Sequence, residues 1–172
     1  MPKSDRISNS QPTSDGLHPP TLSSDDHIPL RMWIRLVTCY HLMEIRLRTE
    51  LRTNFDNTLP RFDLMSQLYR HPKGLKMGDL SRLLMVTSGN MTGMTDRLVV
   101  EGLIQRFDDP KDRRAYHVSL TPKGKKLFQK MAVQHERWIT SLLGDLDETE
   151  LHEIHDVLGK LKLHLTTQSQ AA

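Results

Sequence analysis

Residues 75–121 read LKMGDLSRLLMVTSGNMTGMTDRLVVEGLIQRFDDPKDRRAYHVSLT, and three patterns follow one another within them. In the first, MGDLSRLLMV, the helical spacing of Leu80, Leu83 and Leu84 predicts a short helix that buries one side. In the second, Thr87 or Ser88 stands ready as an N-cap, and Met91, Met94 and Leu98 step by three and four. Gly102 then supplies a C-terminal stop. In the third, two short alternating runs flank a charged Asp-Pro turn, the pattern of a hairpin.

Two short helices followed by a hairpin is the order of a winged helix-turn-helix. The second helix has an unusual solvent face, because Ser88, Gly89, Asn90, Thr92 and Gly93 are all small or polar. Two glycines inside a helix cost about 1 kcal/mol each against alanine. That cost has a reason if the helix backbone must approach something large and flat-walled, such as the major groove of double-stranded DNA. Thr87, Ser88, Asn90 and Thr92 are then expected at base edges or nearby phosphates. Arg97, further along, is expected at a phosphate or in a structural ion pair.

The hairpin tip carries Lys111, Arg113 and Arg114, with Arg106, Lys123, Lys125 and Lys126 close in sequence. Asp108, Asp109 and Asp112 share the turn, so this is no simple run of positive charge. Asp112 can orient one guanidinium through a bidentate contact while Arg113 and Arg114 enter or flank a minor groove. By itself such a turn reads as solvated, with local ion pairs contributing at most about 1 kcal/mol. Directly after a helix-turn-helix it reads as a wing.

The run GNMTGMTDRLVVEGLIQRFDDPKDRRAYHVSLTPKGKKLF resembles the MarR family of bacterial transcriptional regulators, most specifically in DPKDRR and LTPKG. The resemblance extends from about Leu30 to Leu165. It implies a mainly α protein: a winged helix-turn-helix with a helical dimerisation region formed by the N- and C-terminal helices. It also implies a homodimer on a pseudo-palindromic operator and a small-molecule effector held between the first, second and fifth helices. Most members are repressors that their ligand releases, so a repressor is expected. The segments LPRFDLMSQLYR and LSRLLMVTSGNMTGMTDRLV are similar to those of regulators of aromatic-acid breakdown. That likeness implies an aromatic acid or its coenzyme A thioester as effector, with His41, Met43, Arg46, Phe62 and Met65 lining an apolar pocket that offers a cation.

The rest of the chain fits around this centre. Its 172 residues suffice for one domain with a proper core. The net charge is only +3, so a basic footprint has to be local. Residues 1–27, rich in Ser, Asp and Pro, are expected to be a disordered tail. Residues 28–57 form an N-terminal dimerisation helix with Trp33, Leu36, Tyr40, Met43, Leu47 and Leu51 on its apolar face. The winged helix-turn-helix spans 58–121, opened by Thr58 and Pro60, with Phe62, Met65, Leu68 and Tyr69 facing inward. The C-terminal dimerisation helices span 122–166, and 167–172 is a tail. Thr121-Pro122 starts the first of these helices, whose buried stripe is Leu127, Met131, Trp138 and Leu142. Asp147 and Glu150 make a capping-box start for the second, where Leu151, Ile154, Leu158, Leu161 and Leu165 form a coiled-coil-like seam. A lone chain would leave that seam wet, which predicts a symmetric dimer with recognition helices about 34 Å apart.

Other chemistry finds little support. His152 and His155 lie three apart beside Glu153 and Asp156, but nothing else completes a tetrahedral metal site, so no metal and no cofactor are expected. No phosphate-binding loop, dinucleotide turn or nucleophile elbow is present, so the chain does not read as an enzyme. Cys39 is the single cysteine, which excludes an intrachain disulfide and fits a reducing cytoplasm. Its neighbours offer no cation to activate it, so a buried, inert thiol is expected, with redox sensing through Cys39 as the alternative. A winged helix used only to bind protein is a further alternative. It would leave the glycine-bearing face and the arginine tip without a purpose. No apolar run approaches the roughly 20 residues that span a bilayer, so no membrane association is expected.

Overall fold

No proline interrupts the chain between Leu30 and Phe55, and a single helix, α1 (Ile28–Phe55), runs through that stretch. The computed structural model describes residues 27–109 and 112–171, with the side chains of 109–115 and 169–171 outside the description. The expected N-terminal tail, apart from His27, therefore lies outside the described residues. By internal contacts the chain divides into two units, 1–39 and 40–172. The described part of the first is the beginning of α1, where Ile28, Leu30, Met32, Trp33 and Ile34 are exposed. Cys39 is exposed too, which corrects the expectation of a buried thiol. Arg35, Cys39, Leu42 and Arg46 step by four, three and four along one side of α1, and that side faces solvent.

The second unit holds the core. α1 contributes the buried Leu47 and Leu51 before the chain turns at Asp56 and Asn57. α2 (Leu59–Arg70) begins with Thr58 at its N-cap position, but the Thr58 hydroxyl makes no capping bond. Asn57 does the organising instead. Its Oδ1 accepts from Thr58 N–H at 2.9 Å, and its amide donates to Met131 Sδ at 2.9 Å, so a buried amide is satisfied at the start of the helix. Phe62, Leu64, Met65 and Leu68 face inward, while Tyr69 is exposed.

A two-residue strand, β1 (Leu75–Lys76), leads into α3 (Met77–Leu84), where only Leu80 is fully buried. Leu83 is exposed, against expectation: this helix of little more than two turns seats Leu80 in the core and Leu84 partly against it, which leaves Leu83 on the outer side. α3 ends on Met85 in the left-handed conformation, φ 53°. Met85 N–H bonds to Arg82 O and Val86 N–H to Ser81 O, the pattern usually closed by glycine. α4 (Ser88–Val100) then starts on Thr87, whose hydroxyl accepts from Asn90 N–H at 3.4 Å. Met91, Thr95 and Leu98 are buried, and Gly102 at φ +69° terminates the helix as expected. The bonds Gly102 N–H to Val99 O and Leu103 N–H to Leu98 O close that end.

β2 (Ile104–Asp109) and β3 (Asp112–Leu120) form the hairpin, with a register shift at Asp108/Asp109. The small antiparallel sheet has the order β1-β3-β2, Leu75 pairing with Val118 and Ile104 with Leu120. Thr121 closes the sheet and opens α5 (Pro122–Leu142). Its hydroxyl accepts from Gly124 N–H at 3.0 Å and donates to Gly102 O at 2.7 Å. Gly124 explains the LTPKG run: a Cβ there would stand 1.9 Å from Leu103 O, so only glycine lets α5 lie against the start of the wing. Phe128 and Met131 complete the core, and Leu142, expected inside, is exposed near the end of the helix.

α6 (Glu148–Ala171) starts with the reciprocal cap expected for it. Glu150 N–H donates to Asp147 Oδ1, and Asp147 N–H to Glu150 Oε2, both at 2.9 Å. The helix continues to Ala171, so the expected tail over 167–172 is helical through 171. No proline or glycine occurs after Gly159 to stop it. No described helix is long and apolar enough to cross a membrane.

Candidate nucleic-acid interface

The N-terminal half of α4 turns its inner side to the core through Met91 and its outer side to solvent. Thr87, Ser88, Gly89, Asn90, Thr92 and Gly93 are all exposed there. Thr87 is occupied as the cap, and the Thr92 hydroxyl donates back to Ser88 O at 3.0 Å, leaving its oxygen as an acceptor. An ideal Cβ at Gly89 or at Gly93 meets nothing within 4 Å, and neither residue adopts a positive φ. Nothing among the described residues requires either glycine. Arg97 is exposed, and among the described residues no carboxylate pairs with it. Four expected residues, Thr87, Ser88, Asn90 and Thr92, thus share one end of one helix, with Arg97 further along it.

The wing is tied to that helix. Arg106 of β2 pairs with Asp96 of α4, and its guanidinium carbon lies 5.0 Å from the centre of the Tyr116 ring. The sequence alone places Arg106 among the loose cations near the wing, whereas the structure gives it a bracing role. Phe107 and His117 stack across the hairpin with centroids 5.5 Å apart. Asp112, Arg113 and Arg114 open β3, and their side chains lie outside the described residues. The C-terminal end of α4 is held as well. Arg61 of α2 pairs with the Glu101 carboxylate, and Lys123 Nζ of α5 donates to Glu101 O at 2.8 Å. These links join residues 10, 40 and 22 apart, and no local pattern announces them.

The five residues expected to line an effector pocket fall into a buried pair and an α1 group that is exposed or half-buried. Phe62 and Met65 are closed inside the core. His41 and Arg46 are exposed on α1 beside Glu44 and Glu50, and Met43 is half-buried. Helical spacing marks Phe62 and Met65 as apolar without telling a cavity wall from core packing. Phe62 stacks on His135 of α5, centroids 4.5 Å apart, and burial lowers the His135 pKa below the ordinary histidine value. An open groove of about 510 Å³ does lie along α5, lined by Phe55, Lys126, Gln129, Lys130, Val133 and Gln134. Among the described residues no cluster of three metal-ligating side chains forms. His152 bonds to Glu148 O, and His155 lies against Asp156.

A family profile described as MarR family matches residues 58–116. An uncharacterised HTH-type transcriptional regulator, YhbI, from Bacillus subtilis (strain 168) is 31% identical over 107 residues, covering 62% of this chain and 69% of its own. The transcriptional activatory protein BadR from Rhodopseudomonas palustris is 27% identical over 132 residues, covering 74% of this chain and 75% of its own. Other matching curated regulators extend further beyond the matched region, this chain spanning 64% and 55% of two of them. Among solved structures, a mutant MarR from E. coli complexed with operator DNA superposes with a TM-score of 0.66 at 25% identity, over 79% of this chain and 95% of that one. The curated relatives are named as transcriptional regulators, not as enzymes.

Proposed function

The chain belongs to the MarR family of transcriptional regulators, and from that premise we propose that it binds a pseudo-palindromic operator in double-stranded DNA as a homodimer and is released by a small-molecule effector. The observation that carries this reading is the outer face of α4. It presents small and polar side chains and two glycines that no described residue requires. A helix face of that kind suits close approach to base edges, each good contact contributing about 1–3 kcal/mol. Thr87, Ser88, Asn90 and Thr92 are the base-reading candidates and Arg97 a phosphate contact. Asp112, Arg113 and Arg114 are assigned to the wing's minor-groove contact on their sequence pattern.

Dimerisation is supported by α6, where Leu151, Ile154, Val157, Leu158, Leu163 and Leu165 are all exposed in the single chain. Apolar surface of that extent is usually covered by a partner, and a second copy gives the two-fold symmetry that a palindrome demands. The effector is an aromatic acid or its coenzyme A thioester. The groove beside α5 suits such a ligand, with Phe55 and Val133 as apolar wall and the Lys126 and Lys130 ammonium groups for a carboxylate or phosphate. The effector can shift the dimer off DNA only by its difference in affinity between the two states. Repression is the expected direction. Activation is the second reading, favoured by the relative BadR, which is named as an activatory protein and is matched over three quarters of its length. This function carries with it a cytoplasmic location.

The test is the salt dependence of binding to a duplex selected from a randomised pool. Affinity should fall steeply with salt, and Arg114→Ala should weaken binding and flatten the slope by about one phosphate contact. Binding that is shallow in salt and indifferent to Arg114 would count against the reading. No change in DNA affinity across a panel of aromatic acids and their coenzyme A thioesters would remove the effector assignment alone.

A further inference from the structure

We propose that Glu101 positions the recognition helix, fixing from its rear the angle at which α4 enters the groove. The proposal rests on α4 being the DNA-reading helix. Glu101 is the C-cap residue of α4 and touches two other elements at once. Its carboxylate accepts from Arg61 Nη2 of α2, and its backbone carbonyl accepts from Lys123 Nζ of α5 at 2.8 Å. A carboxylate at a helix C-terminus opposes the helix dipole, so its charge does nothing for α4 taken alone. The cations on either side make it favourable. The Arg61 side chain is only 22% exposed, and its Nε is buried without an acceptor among the described residues. The guanidinium is thus mostly withdrawn from water while the Glu101 side chain stays 41% exposed, and the planar fork of an arginine held in this way favours one placement of its carboxylate partner.

The geometry makes that end matter. From Glu101 to Ser88 is 13 residues along the chain, which at helical rise is about 20 Å. A tilt of about 5° at the C-cap therefore moves the first turn by about 1.7 Å, more than the whole spread of hydrogen-bond distances. Asp96 and Arg106 hold the helix to the wing, but from one side only. Met91, Thr95 and Leu98 seat the helix on the core, and Arg61 and Lys123, reaching its rear end from α2 and α5, add the restraint on tilt at Glu101.

The test compares wild type with Glu101→Gln on two duplexes, one selected from a randomised pool by the wild-type protein and one scrambled from it. Simple electrostatics predicts that losing a negative charge tightens binding to both. Positioning predicts the opposite for the selected duplex alone: affinity about tenfold weaker, with the scrambled duplex bound at least as well as before. Arg61→Lys, which keeps the charge and loses the planar fork, should weaken selected-duplex binding by a smaller factor. The exchange Arg61→Glu with Glu101→Arg should restore most of the lost discrimination. The proposal is overturned if Glu101→Gln binds the selected duplex as tightly as wild type. A parallel loss on both duplexes with a lowered melting temperature would also overturn it, since that marks a structural role only. Should wild type select no duplex at all, the DNA-reading premise falls and this proposal with it, whereas the other failures leave the premise standing.

Discussion

Helices α4 and α6 both leave a face of the single chain in water, and the two faces have opposite chemistry. α4 buries Met91, Thr95 and Leu98 and is capped at both ends by its own chain. It is tied to α2, β2 and α5, and what remains outside is small and polar. α6 is capped at its start by Asp147 and Glu150, yet none of its described side chains is buried, and its exposed face carries leucine, isoleucine and valine. A finished helix with a polar face suits a large polar partner. An unfinished helix with an apolar face suits a copy of itself. The proposed operator and the proposed homodimer follow from that single contrast.

Breaking each side of the contrast should have effects of different kind and size. Leu158→Glu in α6 should give the largest, because it sets a charge into the proposed apolar interface. Sedimentation should show dissociation to monomers at micromolar concentration, a change of roughly 3 kcal/mol or more, with the helix content of each chain retained. Dimers that persist in this variant would remove α6 from the interface. Gly124→Ala attacks the finished side. With Leu103 O only 1.9 Å from the added carbon, α5 must move, and thermal unfolding should report a loss of about 1–3 kcal/mol.

Gly93→Ala separates folding from reading. The open space at Gly93 means alanine should stabilise the helix by up to about 1 kcal/mol, while the added methyl should weaken binding to the selected duplex. A variant both more stable and equally tight on DNA would show that the glycine face reads nothing. The smallest effect concerns His135, half-buried against Phe62, in contrast to the exposed histidines of α6. Burial lowers its pKa in the folded chain, so the unfolded chain takes up the proton first as pH falls. Its contribution to stability is present above the ordinary histidine value of about 6.5 and is lost as pH drops through that value towards the lower folded one. Denaturant midpoints at pH 7.5 and 5.5 should draw together in His135→Phe, and an unchanged gap would exclude this histidine.

What the sequence discloses follows the range of the physics involved. Thr87 and Gly102 bracketing α4, Thr121 opening α5 and Asp147 with Glu150 opening α6 are local patterns, and each is found where its spacing indicates. Asp96 with Arg106, Arg61 with Glu101 and Asn57 with Met131 meet only after folding, at separations of 10, 40 and 74 residues. Periodicity also names a helix face without naming its partner. It therefore puts Leu83 and Leu142 inside, where they are exposed, but rightly turns Phe62 and Met65 inward, and only the family resemblance offers those two to a ligand. The candidate DNA-facing residues of α4 are legible because their small size is out of keeping with a helix. The groove at Lys126 and Lys130 is not, since lysines on a helix surface are ordinary.

The measurement that bears most directly on the contrast is selection of duplexes from a randomised pool by the intact protein. A homodimer reading DNA through α4 should enrich an inverted repeat with half-sites centred about one helical turn, or about 34 Å, apart. Enrichment of an unrepeated half-site would contradict the homodimer, and no enrichment would contradict the reading of α4 as a DNA-binding face.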